Sequence, residues 1–256
     1  MFLTDLKDKV VLITGASTGI GASTAIAFAS CGSRVALHYN QNRAKAMIVA
    51  KEIENAGGEV FLVQGDLFLK DSPQKIISQV ILKFGCVDIL VNNAGSLVAR
   101  KLVAEYDDEY LDQIISLNIK QVANFVKYSV IEMRKHKKGG VIINVGSSAA
   151  RHGGGIGSAI YSATKGFISS ATKAWAKELA QDLIRVNAIS PGVIDTPFHA
   201  KFTSVEAIQN SIKLIPLKRI GTSNECASTI IYLASEKMSS FVTGQIIEVN
   251  GGQVMP

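Results

Sequence analysis

Seven short apolar runs constrain this chain most. "KVVLIT", "RVALHY", "EVFLVQ", "VDILVN", "GVIINV", "IRVNAI" and "QIIEVN" are rich in Val and Ile and are bounded by polar residues or glycine. A strand with one wet face alternates apolar and polar residues. Continuous apolar runs of this length instead fit strands buried on both faces. Between them, segments 20–31, 42–56, 73–84 and 161–180 are long enough for crossover helices. The alternation predicts an α/β fold: a doubly wound sheet of seven parallel strands with helices on both faces. No internal repeat, low-complexity tract or long linker interrupts it, so residues 1–256 read as one domain. The stretch 193–220, "VIDTPFHAKFTSVEAIQNSIKLIPLKRI", has no strand-like run and carries two prolines. It is the expected excursion from the sheet, and a candidate substrate lid.

Composition narrows the function classes. No run of about 18 uncharged apolar residues is present, so no membrane span is expected. The opening "MFLTDLKDKVVLITG" lacks a secretory pattern. Cys31, Cys86 and Cys226 are far apart, with no CxxC, and read as reduced thiols of a cytoplasmic protein. His38, His136, His152 and His199 lack metal-ligand spacing. The net charge of +6 suits a polyanionic ligand or partner. Lys and Arg are spread along the chain without a nucleic-acid motif, so no nucleic-acid partner is expected.

Two short motifs carry chemistry. "VVLITGASTGIGAST" sets Gly15, Gly19 and Gly21 after the first strand, where a helix should open. Glycines there let a phosphate approach the backbone, and the helix N-terminus supplies free N–H groups and a positive dipole end. The spacing is G-x-x-x-G-x-G, and no Gly-Lys-Ser/Thr follows, so this is not a P-loop. "AIYSATKGF" sets Tyr161 and Lys165 four apart, on one helix face. A lysine there favours phenolate and would lower a phenol pKa normally near about 10, making a proton donor usable near neutral pH. Tyr-x-x-x-Lys alone is short enough to arise by chance.

The motifs together resemble the short-chain dehydrogenase/reductase family. "TGASTGIG", "NNAG" at 92–95, Asn118 in "SLNIK", the serines of "NVGSS", "YSATK" and "SPGVIDT" occur in the family's order, down to the closing "GQIIEVNGG". The resemblance implies a Rossmann-like seven-stranded sheet, a nicotinamide cofactor, hydride transfer between a carbonyl and an alcohol, and a homotetramer. It implies that Tyr161 exchanges the proton with the substrate oxygen. It further implies that Lys165 holds the nicotinamide ribose, and that Asn118 holds a water linking the lysine to solvent. The serine that steadies the oxyanion is Ser147 by counting from the strand, and Ser148 by counting back from Tyr161. Ser147 is preferred, because the glycine-rich "ARHGGGIGSAI" can absorb a residue, whereas a slip within a buried strand reverses every side chain. The implied cofactor surface comprises Gly15, Ser17, Gly19, Ile20 and Gly21 in the turn. Asp66, Leu67, Asn92, Ala94 and Gly95 follow on the adenosine side, and Pro191, Gly192 and Thr196 by the nicotinamide amide.

The end of strand two selects the cofactor, since an acid there binds the ribose 2′-hydroxyl and repels a 2′-phosphate. Tyr39 takes that place, no acid follows until Glu52, and Asn40, Asn42 and Arg43 come next as donors. NADP(H) is therefore expected over NAD(H), although Thr18 stands where many NADP-using relatives have a basic residue. The pattern is most similar to 3-oxoacyl-acyl carrier protein reductases, with sugar dehydrogenases and general carbonyl reductases close behind. "RHGGGIGSA" and "PFHAKF" depart from the commonest carrier-protein reductase pattern. A catalytically silent NADP-binding sensor is the alternative of another class. Arg134, Lys135, Lys137 and Lys138 in "MRKHKKGG" offer a basic landing surface for an acidic carrier, but they precede a strand whose far end should face the substrate.

Overall fold

A computed structural model describes residues 4–256. The first three residues, which begin the segment read for a leader, lie outside the described residues. The strands are β1 (Val10–Ile13), β2 (Arg34–Tyr39), β3 (Glu59–Gln64), β4 (Ile89–Asn92), β5 (Gly140–Val145), β6 (Ile184–Pro191) and β7 (Ile246–Val249). All pair in parallel, in the order β3-β2-β1-β4-β5-β6-β7. The seven apolar runs thus form the expected doubly wound sheet. The order reverses between β1 and β4, and a crevice opens there beyond the carboxyl ends of the strands.

The helices that build the two layers are α1 (Gly19–Ser30), α2 (Arg43–Asn55), α3 (Ser72–Phe84), α4 (Asp108–Ile115), α5 (Gln121–His136), α6 (Ala149–His152), α7 (Ala159–Leu179), α8 (Pro197–Phe202), α9 (Val205–Leu214), α10 (Ser223–Ala234) and α11 (Glu236–Ser239). Side chains alternate across each strand. Val11, Ile13, Val35 and Leu37 therefore pack against Phe28 of α1, Ile53 of α2 and Ile230 of α10. Val10, Leu12 and Ala36 turn to the other layer, against Val80 of α3, Phe125 of α5 and Leu179 of α7. Sequence signals set several helix ends. Asn42 accepts from Lys45 N at 3.1 Å to cap α2, and Thr222 with Glu225 forms a capping box on α10. The N-cap of α1, Thr18, makes no side-chain capping bond, so the first turn of that helix keeps its N–H groups unclaimed by a side chain. Segment 193–220 forms α8 and α9 and carries no strand, as its composition predicts.

Candidate active site

One cavity of about 660 Å³ runs over the crevice, from the glycine turn to α8 and α9. Its wall includes Gly15, Ser17, Gly19 and Ile20 from the turn, and Asn40, Asp66, Leu67, Ala94 and Gly95 beside it. Ser147, Ser148, Tyr161, Lys165, Pro191, Gly192 and Thr196 complete the far side. Residues far apart in sequence meet here because β1, β4, β5 and β6 all end at this edge of the sheet.

Tyr161 and Lys165 lie on the first turns of α7, and the Lys165 Nζ stands 5.6 Å from the Tyr161 ring centre. Lys165 is buried and donates to the Val145 carbonyl at the end of β5, at 2.8 Å. Burial lowers its pKa to about 8. Burial pushes the Tyr161 phenol up to about 12, and the Ser147 side chain is the neighbour that acts against that rise. The protein alone thus differs from the expectation that Lys165 lowers the phenol: desolvation dominates, and the ammonium is turned to a carbonyl. Of the two serines, Ser147 is the one acting on the phenol; its Oγ also accepts from Ala149 N at 3.1 Å. Ser148 is buried and its backbone N–H donates to the Pro191 carbonyl at 2.9 Å. The short α6 and the glycines after it lie between Ser147 and Tyr161.

Asn118 is not on the cavity wall. It lies in a π-helical turn, Ser116–Lys120, between α4 and α5, with Gln121 N bonded to the Ser116 carbonyl. Such wide turns recur at functional sites. The Asn118 Nδ2 donates to the carbonyls of Ile114 and Ser96, both at 2.9 Å, and its Oδ1 accepts from Ser96 N at 3.2 Å. A Cβ on Gly95 would stand 2.9 Å from that Oδ1 and 3.4 Å from the Lys165 Nζ. Glycine at 95 is what lets the amide and the ammonium flank the same strand end.

Four of the expected cofactor residues do not line the cavity. Tyr39 is buried in the layer of α1 and α2, because alternation along β2 turns His38 and Asn40 to the crevice and Tyr39 away. Asn92 donates to Asn144 Oδ1 at 2.9 Å, and Asn144 donates to Thr172 of α7, so it fastens sheet to helix. Its neighbour Asn93 is the wall residue, and donates to the carbonyls of Thr14 at 2.9 Å and Gly15 at 3.0 Å. Gly21 lies beneath the turn, where a Cβ would meet Asn93 Nδ2 and the Gly15 oxygen at 2.5 Å, so only glycine fits there. Arg43 is exposed at the first position of α2, off the wall, while Gln41 and Asn42 line it.

His38 escaped the sequence reading. It is buried, its Nδ1 accepts from Gly15 N at 3.0 Å, and its Nε2 pairs with the Gly65 carbonyl at 3.0 Å. A carbonyl only accepts, so Nε2 carries the proton and the ring is neutral. Burial lowers its pKa to about 4. A folded pKa below the unfolded one makes the unfolded chain bind more protons between pH 6.5 and about 4, so stability falls as pH falls through that window. The full loss is about 3 kcal/mol. Denaturation midpoints of wild type and His38→Gln, followed from pH 7 to 4, check this: the wild type loses more. Parallel curves would remove His38 from the account.

The basic cluster does not reach the cleft. Arg134, Lys135, Lys137 and Lys138 lie at the end of α5, at the amino end of β5, whereas Ser147 follows its carboxyl end. Arg134 pairs with Asp182 and Lys135 with Glu132, each at 2.7 Å.

The uncapped N-terminus of α1, the close-packed glycine turn and Asp66 at the β3 side fit a dinucleotide: its pyrophosphate at the helix end, its adenosine beside β2 and β3. Residues 15–253 match the family model described as Enoyl-(Acyl carrier protein) reductase. A 3-oxoacyl-[acyl-carrier-protein] reductase FabG of Thermotoga maritima is 38% identical over 98% of this chain and 99% of its own length. The solved short-chain type dehydrogenase/reductase of Mycobacterium marinum is 33% identical with a TM-score of 0.91, covering 99% of this chain and 98% of that one. This chain is a short-chain dehydrogenase/reductase. It is an oxidoreductase that acts between a ketone and a secondary alcohol with a nicotinamide cofactor. The NADH-dependent reductase A1-R′ complexed with NAD, at 33% identity and a TM-score of 0.88, covers 99% of this chain and the whole of that one. Among the described residues no helix is long and apolar enough to cross a membrane, and no group of metal-ligating side chains is found.

Proposed function

We propose that this short-chain dehydrogenase/reductase reduces the ketone of a 3-oxoacyl thioester with NADPH, with Tyr161 as proton donor. The convergence of Ser147, Tyr161 and Lys165 on the wall that also holds the glycine turn carries this reading. When bound, the reduced nicotinamide supplies a hydride to the carbonyl carbon. The Tyr161 hydroxyl gives its proton to the carbonyl oxygen, and the Ser147 hydroxyl donates a hydrogen bond to the same oxygen as charge develops there. Lys165 holds the ribose and keeps a cation beside the phenol, which favours loss of the phenolic proton. Asn118 holds the 95–96 turn against Lys165. The Phe198 ring of α8 lies tilted 5.7 Å from the Tyr161 ring, and Ala207 and Ser211 of α9 are on the wall, so α8 and α9 act as a lid over the substrate. The thioester class rests on the 3-oxoacyl reductases among the relatives. Consumption of NADPH with acetoacetyl thioesters, simple ketones and sugars tests the reading; no turnover of any of them would overturn it.

NADPH is favoured because no acid stands between Tyr39 and Glu52, and Arg43 opens α2 beside wall residues Asn40 and Asn42. We expect a higher kcat/KM with NADPH than with NADH. Arg43→Gln should narrow that preference by roughly tenfold, the worth of one charge-assisted hydrogen bond. A wild type that prefers NADH would refute the assignment. A second reading, a ketone of carbohydrate origin, is favoured by the A1-R′ reductase described as responsible for alginate metabolism, at a TM-score of 0.91. Assembly as a homotetramer in the cytoplasm completes the proposal, and sedimentation at a monomer mass would contradict the assembly.

A further inference from the structure

The substrate end of the cleft is electrically one-sided. Arg100 and Lys165 line it, while among the described residues the only carboxylate on the wall, Asp66, lies beside β3 among the adenosine-side residues. Arg100 is fixed there by two backbone acceptors, one at the end of α8 and one in the loop after α6. Its Nε donates to the Phe202 carbonyl at 2.8 Å, and its Nη1 donates to the Ile156 carbonyl at 2.7 Å. Among the described residues it has no carboxylate partner, and its Nη2 makes no hydrogen bond. A guanidinium held by neutral carbonyls keeps its full charge, and a free edge suits a planar or tetrahedral oxyanion.

The backbone leading to Arg100 is unusual. Val98 has φ +62°, and Ala99 N donates to the Leu97 carbonyl at 2.7 Å, closing a left-handed γ-turn. A β-branched residue rarely adopts this conformation, and it persists only where the surroundings hold it. Here they do: Ser96 Oγ accepts from Val98 N at 3.0 Å, and Ser96 is itself clamped by Asn118. The turn aims Arg100 back over the cleft. A short aromatic chain links it to the reacting group, since the tilted rings of Tyr161 and Phe198 lie 5.7 Å apart and those of Phe198 and Phe202 5.2 Å apart. Burial, and after it the charge of Arg100, hold the His199 pKa below its usual value, so Arg100 is the fixed charge on this side of the lid.

We propose that Arg100 is an anion subsite of the substrate pocket, and that the ketone reduced here carries an oxyanion group, a phosphate or a carboxylate. This rests on the carbonyl-reductase reading above. The phosphate could belong to a pantetheine arm, and the carboxylate to an oxo acid. Two substrate pairs separate these sources: acetoacetyl-phosphopantetheine against acetoacetyl-pantetheine, and 4-oxopentanoate against its methyl ester. The readout is the charged-to-neutral ratio of kcat/KM within each pair, for wild type, R100K and R100Q, at low and high salt. For one pair the wild-type ratio should exceed one, fall with salt, drop at least about tenfold in R100Q and be partly kept in R100K. The pair that responds names the source. The salt response of the wild type reads the same charge should R100Q not fold. Wild-type ratios near one in both pairs, or ratios that survive in R100Q, overturn the subsite while leaving the carbonyl reductase intact. No turnover of any of the four compounds would instead fail the parent reading.

Discussion

Tyr161→Phe lowers kcat by at least about 100-fold, the usual scale for loss of a positioned general acid. The substitution removes the proton and keeps the ring, so the contact with Phe198 at 5.7 Å remains. Burial that pushes the phenol to about 12 in the protein makes an ordinary donor poor, and Ser147 together with the Lys165 cation must draw it back. The loss therefore falls on the chemical step, and NADPH affinity, followed by quenching of protein fluorescence, changes little. A Tyr161→Phe enzyme with near-normal turnover, where chemistry limits the rate, would end the assignment.

Ser147→Ala costs on the order of 100-fold in kcat, as removal of one oxyanion donor does. Ser148→Ala costs much less. Ser147 follows Gly146 at the end of β5 and is the side chain that acts on the phenol, whereas Ser148 is the N-cap residue of α6, with its N–H tied to Pro191. Steady-state rates of both variants decide between them. The reverse order would mean that Ser148 faces the carbonyl when substrate is bound, and that the strand-end register does not select the catalytic serine.

The sheet was legible because buried parallel strands leave a strong signature. Each of the seven apolar runs became a strand, and helices at 20–31, 42–56, 73–84 and 161–180 appear within a residue or two of those limits. Tyr161 and Lys165 were legible because four residues on a helix fix a shared face. Two of the residues off the wall share one cause. Tyr39 and Asn92 were each one residue from the side chain that reaches the cavity, and a strand alternates at every step, so one residue is the difference between crevice and core. His38 and Asn93 instead brace the glycine turn: one receives the Gly15 N–H and the other holds the Gly15 carbonyl. No local pattern marks His38, since its partners Gly15 and Gly65 meet it only through the pairing of β2 with β1 and β3. The left-handed turn at Val98 was equally hidden, because a valine gives no sign of positive φ.

The central claim is that this chain moves a hydride from a nicotinamide to a ketone carbon while Tyr161 protonates the oxygen. Its most direct test is mass spectrometry of the product formed from an acetoacetyl thioester and NADPH deuterated at the transferring face of the nicotinamide ring. One deuterium retained on the carbinol carbon of a 3-hydroxy product, with both signals lost together in Tyr161→Phe, is the predicted result. A 3-hydroxy product without deuterium, or deuterium transfer undiminished in Tyr161→Phe, would contradict the account.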